Sequence, residues 1–446
     1  MMRRLLHGAC TCGWPALVIL AGDVPPLPLQ FRPEPTAPAA QPGGLARRVR
    51  AATGNTVQFH LAARPGTCGD GRSYMRLGDD TWYGTVDDGT RTQPCAEGPL
   101  RVLVVKDGDE IVRLQSFVGP LATEADAADL GRVASGEAVA FLGALAESDA
   151  GRVPRDAIRA LGIADSANAA ALLVRLVRDA DRPRETRRAA LGALVRRREA
   201  PDAPPTRELV SLLAGVARDA QEHGSFRQSA VSTLSRLDRG EGIPSLIQMT
   251  EGAADPWLAR EAVEVLARSG DPRALRVVRA IVARGDAPAE ARIAAMTGLA
   301  RDFATAADAE TMARTYPTLG SDRLRDAALG ALAQVGGEPA RRFLLQVVQD
   351  EAHPARQRRR AASLLDRAGV TVREVIATYD KVSDGEVRVQ LIEAMAQAGT
   401  RESTRKLVAI AQGDTQPAAR RRAIALLGRS DDPAVREALK DIVGSR

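Results

Sequence analysis

The sequence predicts a mostly α-helical protein, an α-α superhelix of about nine helix pairs behind a small N-terminal antiparallel β domain. Three observations carry this prediction. From residue 152 onward one apolar residue recurs in one context, at Leu161, Leu194, Leu234, Leu266, Leu299, Leu332, Leu365, Met395 and Leu427, with intervals of 33, 40, 32, 33, 33, 33, 30 and 32 residues. A period of this size marks a stacked repeat array, in which each unit buries one face against its neighbours. Apolar residues make up 45% of the 446-residue chain but aromatic residues only 3%, so the core must be Ala, Leu and Val, which suits close helix packing. Ahead of the repeat the apolar period changes to two, as in half-buried strands.

Arg3 and Arg4 precede a short apolar run at residues 14–22, with the small residue Ala21 near its end. Residues 1–22 therefore read as a secretory signal. The run is too short to cross a bilayer, so no transmembrane span is expected in the mature protein. Residues 23–50 follow, rich in Pro from Pro25 to Pro42. A stretch of this kind buries too little apolar surface to offset its ordering entropy and reads as a linker.

The β domain is expected over residues 51–120. Val57, Phe59 and Leu61 alternate with Gln58 and His60, and turn residues follow at Pro65-Gly66 and Gly69-Asp70-Gly71. Residues 99–105 and 110–118 form a hairpin across Asp107-Gly108-Asp109. A unit this small is marginal without a staple. It holds the only two cysteines after the signal-like run, Cys68 and Cys95, and behind a secretory signal such a pair favours a disulfide. A metal site there has no CxxC spacing to support it. Residues 121–151 are expected as an atypical helical cap on the array, and 152–446 as the array itself.

Each repeat reads as two helices. The first opens in five units with a Pro 10 or 11 residues before the spine position, at Pro183, Pro256, Pro288, Pro354 and Pro417. Seven residues before the spine stands an Arg: Arg187, Arg227, Arg292, Arg325, Arg358, Arg388 and Arg420. Small residues such as Ala189, Ala262 and Ala328 fill the helix middle, and a break such as Ser269-Gly-Asp-Pro272 precedes the second helix. An Asp tends to close that helix, at Asp179, Asp219, Asp286, Asp350 and Asp414.

These positions together resemble HEAT repeats, in particular their short-period, bacterial, phycobilisome-lyase-like branch. The resemblance implies that second helices line a concave groove. It also implies that the recurring Arg is structural, bridging to an acid of an adjacent turn, as Arg292 to Asp286 and Arg420 to Asp414. Two places depart from the pattern: a longer inter-helix loop at 199–205, and residues 303–309 in place of the usual break.

Little in the chain points to chemistry. Its histidines, His7, His60, His223 and His353, are scattered and are expected at solvated positions. No HExxH, phosphate-binding Gly loop or nucleophile elbow occurs, and carboxylate pairs such as Asp79/Asp80, Asp87/Asp88 and Asp431/Asp432 fall in turns. No catalytic, cofactor-binding or metal residue is expected. The net charge of +6 and the pI near 9.5 raise nucleic acid as a partner. Nearly all the positive charge is Arg, however, a bias that a GC-rich genome imposes on any protein. The Arg clusters 196–198, 358–360 and 420–422 lie on first helices, and second helices are near balance. A groove that follows a phosphate backbone should itself be basic. The sequence therefore predicts a non-enzymatic, exported scaffold of the bacterial cell envelope that holds a protein or peptide partner, with nucleic-acid binding through the Arg-rich helices as the alternative.

Overall fold

The first described element is a short helix inside the stretch expected as linker. α1 spans Gly44–Ala51 and buries Leu45 and Val49, four residues apart and so on one face. Its C-terminal end is held by Lys106, which donates to the carbonyls of Ala52 (2.8 Å) and Arg50 (3.3 Å). A cation at the last carbonyls of a helix both completes their hydrogen bonding and complements the dipole. The computed structural model describes residues 44–77, 81–84, 95–121, 126–149, 151–197, 200, 202–251, 255–429 and 433–444. The expected signal, Cys10, Cys12, the Pro-rich part of the linker and the carboxylate pairs Asp79/Asp80, Asp87/Asp88 and Asp431/Asp432 lie outside them.

Two sheets follow. β1 (Thr56–Leu61), β2 (Thr67–Gly69), β3 (Tyr74–Leu77), β4 (Thr81–Gly84), β5 (Leu100–Asp107), β6 (Glu110–Val118) and β7 (Ala128–Arg132) are arranged in the orders β6-β5-β1-β7 and β2-β3-β4. All pairs are antiparallel except β1 with β7, which is parallel. That last strand corrects two sequence-based expectations: the β domain runs beyond residue 120, and the cap at 121–151 is only partly helical. The sequence Ala-Asp-Leu-Gly-Arg of β7 is short and offers only Ala128 and Leu130, both half-buried, as apolar residues, and the strand is secured by a long-range contact, Gln58 donating to Asp129 at 3.0 Å.

β1 is buried on both faces, so Gln58 is as hidden as Val57 and Phe59. Arg101, 3% exposed, donates to Gln58 (3.3 Å) and to the Gly71 carbonyl (2.7 Å). Gly71, in the turn between β2 and β3, adopts φ +76° with no room for a side chain: a Cβ would meet the Pro120 carbonyl oxygen at 2.0 Å. Cys68 on β2 is disulfide-bonded to Cys95, with Cα atoms 5.1 Å apart.

α2 (Ser135–Ala146) packs on the sheet through an edge-to-face contact of Phe141 with Phe59 at 6.0 Å. The array continues that same core. Its pairs are α3 (Val153–Ile163) with α4 (Ala169–Arg178), α5 (Arg184–Arg196) with α6 (Thr206–Arg218), and α7 (Gly224–Ser235) with α8 (Ile243–Thr250). Next come α9 (Pro256–Arg268) with α10 (Pro272–Ala283), α11 (Ala289–Asp302) with α12 (Ala306–Thr315), and α13 (Asp322–Val335) with α14 (Gly337–Gln349). The last are α15 (Ala355–Ala362) with α16 (Val372–Tyr379), α17 (Gly385–Ala398) with α18 (Arg401–Gly413), and α19 (Pro417–Leu427) with α20 (Pro433–Gly444). First helices pack against first helices and second against second, which makes two layers.

All nine spine residues, from Leu161 to Leu427, are at most 3% exposed. Leu365 sits just past the end of α15, in tight turns that continue the helix path. Pro256 and Pro417 begin their helices, while Pro183, Pro288 and Pro354 stand one residue outside, extended, their carbonyls accepting the first helical N–H bonds. At the long loop, Arg197 is fully buried and donates to the carbonyls of Leu161 (3.0 Å) and Ala164 (2.6 Å), and to Asp202 (2.5 Å). The other Asp202 oxygen accepts the Ala170 N–H at 3.0 Å, near the start of α4. The extra residues thus tie α5 to the preceding pair. Among the described residues, no helix is long and apolar enough to cross a membrane.

Candidate interaction surface

The Arg ladder is resolved as a device between repeats. Where a second helix ends and the next first helix begins, the ladder Arg donates to the carbonyl ten residues earlier. Arg187 reaches Val177 (3.0 Å), Arg227 reaches Ala217 (2.8 Å), Arg292 reaches Val282 (3.2 Å) and Arg358 reaches Val348 (3.0 Å). Each acceptor lies in the last turn of a second helix, where carbonyls lack intrahelical partners and a cation is favoured by about 0.3–1 kcal/mol. The other end of the guanidinium points to the following repeat. Arg187 pairs with Glu222, Arg227 with Asp255, Arg358 with Asp384 (3.8 Å) and Arg388 with Asp414 (3.0 Å). One side chain therefore links three successive elements.

Aromatic residues, scarce in the sequence, gather at these joints. Arg187 lies over Phe226 (5.2 Å), Arg227 over Trp257 (4.5 Å) and Arg388 over Tyr379 (4.5 Å), each contact worth about 0.5–2 kcal/mol. Burial, together with its hydrogen bond to Asp414 (2.7 Å), pushes the Tyr379 hydroxyl well above its ordinary pKa. The closing Asp residues have a separate task. Asp179, Asp219, Asp350 and Asp414 each accept the backbone N–H two residues on, at 2.8–3.2 Å, turning the chain towards the next helix.

Four ladder positions differ: Arg388 keeps the acid, Asp414, but its Nε has no carbonyl partner, and Arg292, Arg420 and Arg325 depart further. The bridges implied from Arg292 to Asp286 and from Arg420 to Asp414 do not form between side chains. Asp286 pairs with Arg284 (3.1 Å), which occupies the place of the closing Asp in this joint. Arg292, 4% exposed, keeps one carbonyl bond, its Nε has no hydrogen-bond partner, and desolvation lowers its pKa. α18 runs further before its turn, so Arg420 reaches the backbone carbonyl of Asp414 instead. Arg325 pairs with Asp322 on its own helix at 3.4 Å, and buried Tyr316 supports that joint by donating to Gln357 at 3.0 Å. The ten-residue spacing from the last apolar residue of one helix to the Arg of the next was the sequence signal for the carbonyl contact.

The basic clusters are correspondingly less free than their sequence suggests. Arg197 and Arg358 are buried, Arg359 pairs with Glu386, and Arg422 pairs with Glu393 at 2.6 Å. First helices also exchange ions through Arg323 with Glu290 and Arg356 with Asp326 (2.6 Å). On the second helices the exposed side chains are linked from repeat to repeat. Arg175 pairs with Glu147 (2.5 Å), Arg218 with Gln248 (3.2 Å), Arg279 with Asp308 (2.8 Å), Arg373 with Glu402 (3.3 Å) and Lys406 with Asp380 (2.6 Å). These pairs offset part of the layer's charge, while α4, α10 and α18 keep more Arg and Lys than Asp and Glu. Two histidines have roles at joints beyond solvation: His223 accepts the Ser225 N–H at the start of α7, and His353 packs against Tyr316 at 5.7 Å. Among the described residues, no three His, Cys, Asp or Glu side chains gather as a metal-binding group.

The family profile for HEAT repeats matches residues 207–300 and 373–446. No curated protein sequence matches the chain. Among solved structures, it is similar to human deoxyhypusine hydroxylase in complex with glycerol, at 17% identity over 59% of this chain and 96% of that one, TM-score 0.25. It is also similar to the CpcE–CpcF complex of phycocyanin lyase from a Nostoc species, at 18% identity over 58% of this chain and 92% of that one, TM-score 0.27. A third is Kap121p bound to Pho4p, at 14% identity and TM-score 0.40, where 69% of this chain covers 43% of the other. Periodicity, paired helices and the family profile agree: the chain carries HEAT repeats, matched by the profile at residues 207–300 and 373–446, behind a small β region at its N-terminal side.

Proposed function

We propose that this protein is a non-enzymatic scaffold of the bacterial cell envelope, exported, that holds a protein or peptide partner on the concave face lined by its second helices. The observation that carries the reading is the repeat-to-repeat pairing of charges along that layer, from Glu147–Arg175 to Asp380–Lys406. Where side-chain charges are already paired, a surface selects a partner by shape and local hydrogen bonding more than by bulk attraction. The disulfide Cys68–Cys95 favours an oxidising compartment. Nucleic-acid binding through first helices is the weaker reading, because many of their Arg side chains serve the joints between repeats.

The test uses full-length protein and envelope extract, with crosslinking and two sets of exposed-charge reversals. Arg175→Glu with Arg218→Glu alters the second-helix layer, and Arg323→Glu with Arg421→Glu alters the first. Loss of the crosslinked partner with the first set alone is the expected result. Equal capture by both sets, or steeply salt-dependent binding to DNA that the second set removes, overturns it. Cell fractionation with thiol labelling checks the compartment: the expected result is an envelope protein with Cys68 and Cys95 unreactive until reduced.

A further inference from the structure

We infer that the groove between the outer strand of the four-stranded sheet and the first repeat is a second recognition site, taking an extended acidic peptide segment as an added strand. The site goes beyond the second-helix surface proposed above, and variants on the two surfaces separate them.

β6 is an edge strand, paired only with β5 within its sheet. The direction of its main-chain groups follows from two hydrogen bonds. The Val118 carbonyl accepts the Gly71 N–H at 2.9 Å, on the side away from β5. The His60 carbonyl faces Val133 at 2.8 Å, so its partner Arg101 turns its own main-chain groups towards β6 and meets Phe117 there. Both bonds give the same phase. By the alternation of a strand, the main-chain groups of Leu114 and Ser116 point outwards, away from β5.

They point into a groove of about 350 Å³, bordered by residues 113–117 of β6, Ser73 and the start of β3 at Tyr74 and Met75, and Arg152, Asp156 and Arg159 of the first repeat. Five residues of strand span about 16 Å, enough for a short extended peptide. The charge of the walls is three arginines, Arg113, Arg152 and Arg159, against the single carboxylate of Asp156. Arg113 and Arg152 are exposed, and neither forms an ion pair among the described residues.

Two features choose the occupant. An edge strand supplies donors and acceptors at the spacing of another peptide backbone, which a phosphodiester chain cannot match. The arginines then favour a segment bearing carboxylates. A second copy of this strand is disfavoured, because a charge such as Arg113 on an edge strand opposes self-association.

The probe is a fluorescein-labelled heptapeptide of alternating Glu and Val, titrated against the full-length oxidised protein by fluorescence anisotropy. Saturable binding is expected, weakened at least tenfold by Arg152→Glu and by Arg113→Glu in proteins that melt as the unaltered one does. A peptide N-methylated at alternate amides should lose binding, because it cannot complete the edge ladder. The inference is overturned if the N-methylated peptide binds equally well, if an oligothymidylate of equal charge competes as effectively, or if no saturable binding occurs. The charge reversals Arg175→Glu and Arg218→Glu should leave this binding unchanged; if they remove it instead, the groove is not the site.

Discussion

The β region and the repeat array both bury arginines, and they do so in opposite ways. In the array a ladder Arg meets a carbonyl ten residues back and an acid or aromatic ring about one repeat ahead, and the same contact recurs from joint to joint. In the β region Arg101 reaches Gln58 and Gly71, 43 and 30 residues away, and Arg64 reaches the Gly162 carbonyl 98 residues away. None of these contacts recurs. The difference shows what repetition provides: a short, fixed contact distance that can be reused, so that each joint costs little loop-closure entropy. The β region lacks that advantage and relies on individual long-range bonds and a disulfide.

The largest test lies where the array departs from its own rule. Arg197→Ala should cost about 3–5 kcal/mol in denaturant unfolding, because it leaves the buried Asp202 carboxylate without its cation and two carbonyls without donors. A cost below about 1 kcal/mol would show that the long loop is not fastened by this pair. In the β region, removing the bridge with Cys68→Ala and Cys95→Ala should cost about 3–4 kcal/mol for a separation of 27 residues, read as a lower melting temperature of the oxidised protein. An unchanged melting temperature would mean that the long-range polar bonds suffice alone.

Within the ladder, two joints should separate. Arg227→Met is expected to cost about 2–4 kcal/mol, since Arg227 holds the Ala217 carbonyl, Asp255 and the Trp257 ring. Arg292→Met should change stability by less than about 1 kcal/mol in either direction, because Arg292 has one carbonyl bond and an unpartnered Nε, and a well-packed apolar side chain replaces it at little cost. Equal costs at the two positions would show that burial, not partnership, sets the strength of a joint.

The smallest effect is one of pH, and it compares the two regions directly. Asp70 in the β region is pushed up by burial, but hydrogen bonds from Ser73 and from the backbone N–H groups of Arg72, Ser73 and Tyr74 outweigh this and hold its carboxyl at about 2. Asp271 in the array is held at about 2 chiefly by its hydrogen bond with Arg273. Both folded values lie below the unfolded one, so each carboxylate adds stability that is complete above pH of about 4 and is lost as the pH falls towards 2. Asp70→Asn and Asp271→Asn should each flatten the stability profile in that window. A profile unchanged by either substitution would remove the corresponding carboxylate from the acid response.

Much of the array was legible because its information is local. The spine from Leu161 to Leu427, the Pro that opens the first helix in five units and the Arg seven residues ahead of the spine in seven are set by helical periodicity and chain geometry within one repeat. The partners of those arginines were less legible. An Arg and a nearby Asp in sequence suggest a bridge, yet Asp414 gives its carboxylate to Arg388 and Tyr379 while Arg420 takes its backbone oxygen. The β region was read as strands and turns from the alternation around Phe59 and the Asp107–Asp109 turn. β7 was missed because only its pairing with β1 makes it a strand. The groove beside β6 had no sequence signal, since Arg113 and Arg152 are 39 residues apart and meet only when the sheet docks on the array.

By itself, the sequence determined that helices pair, how often they repeat and where the chain turns, because hydrophobic periodicity and capping act over a few residues. Only the tertiary structure decided which carbonyl or carboxylate each buried guanidinium holds, and which charges are left facing solvent. A buried cation must find oxygen atoms wherever packing places them, and that choice depends on distances that no local pattern records.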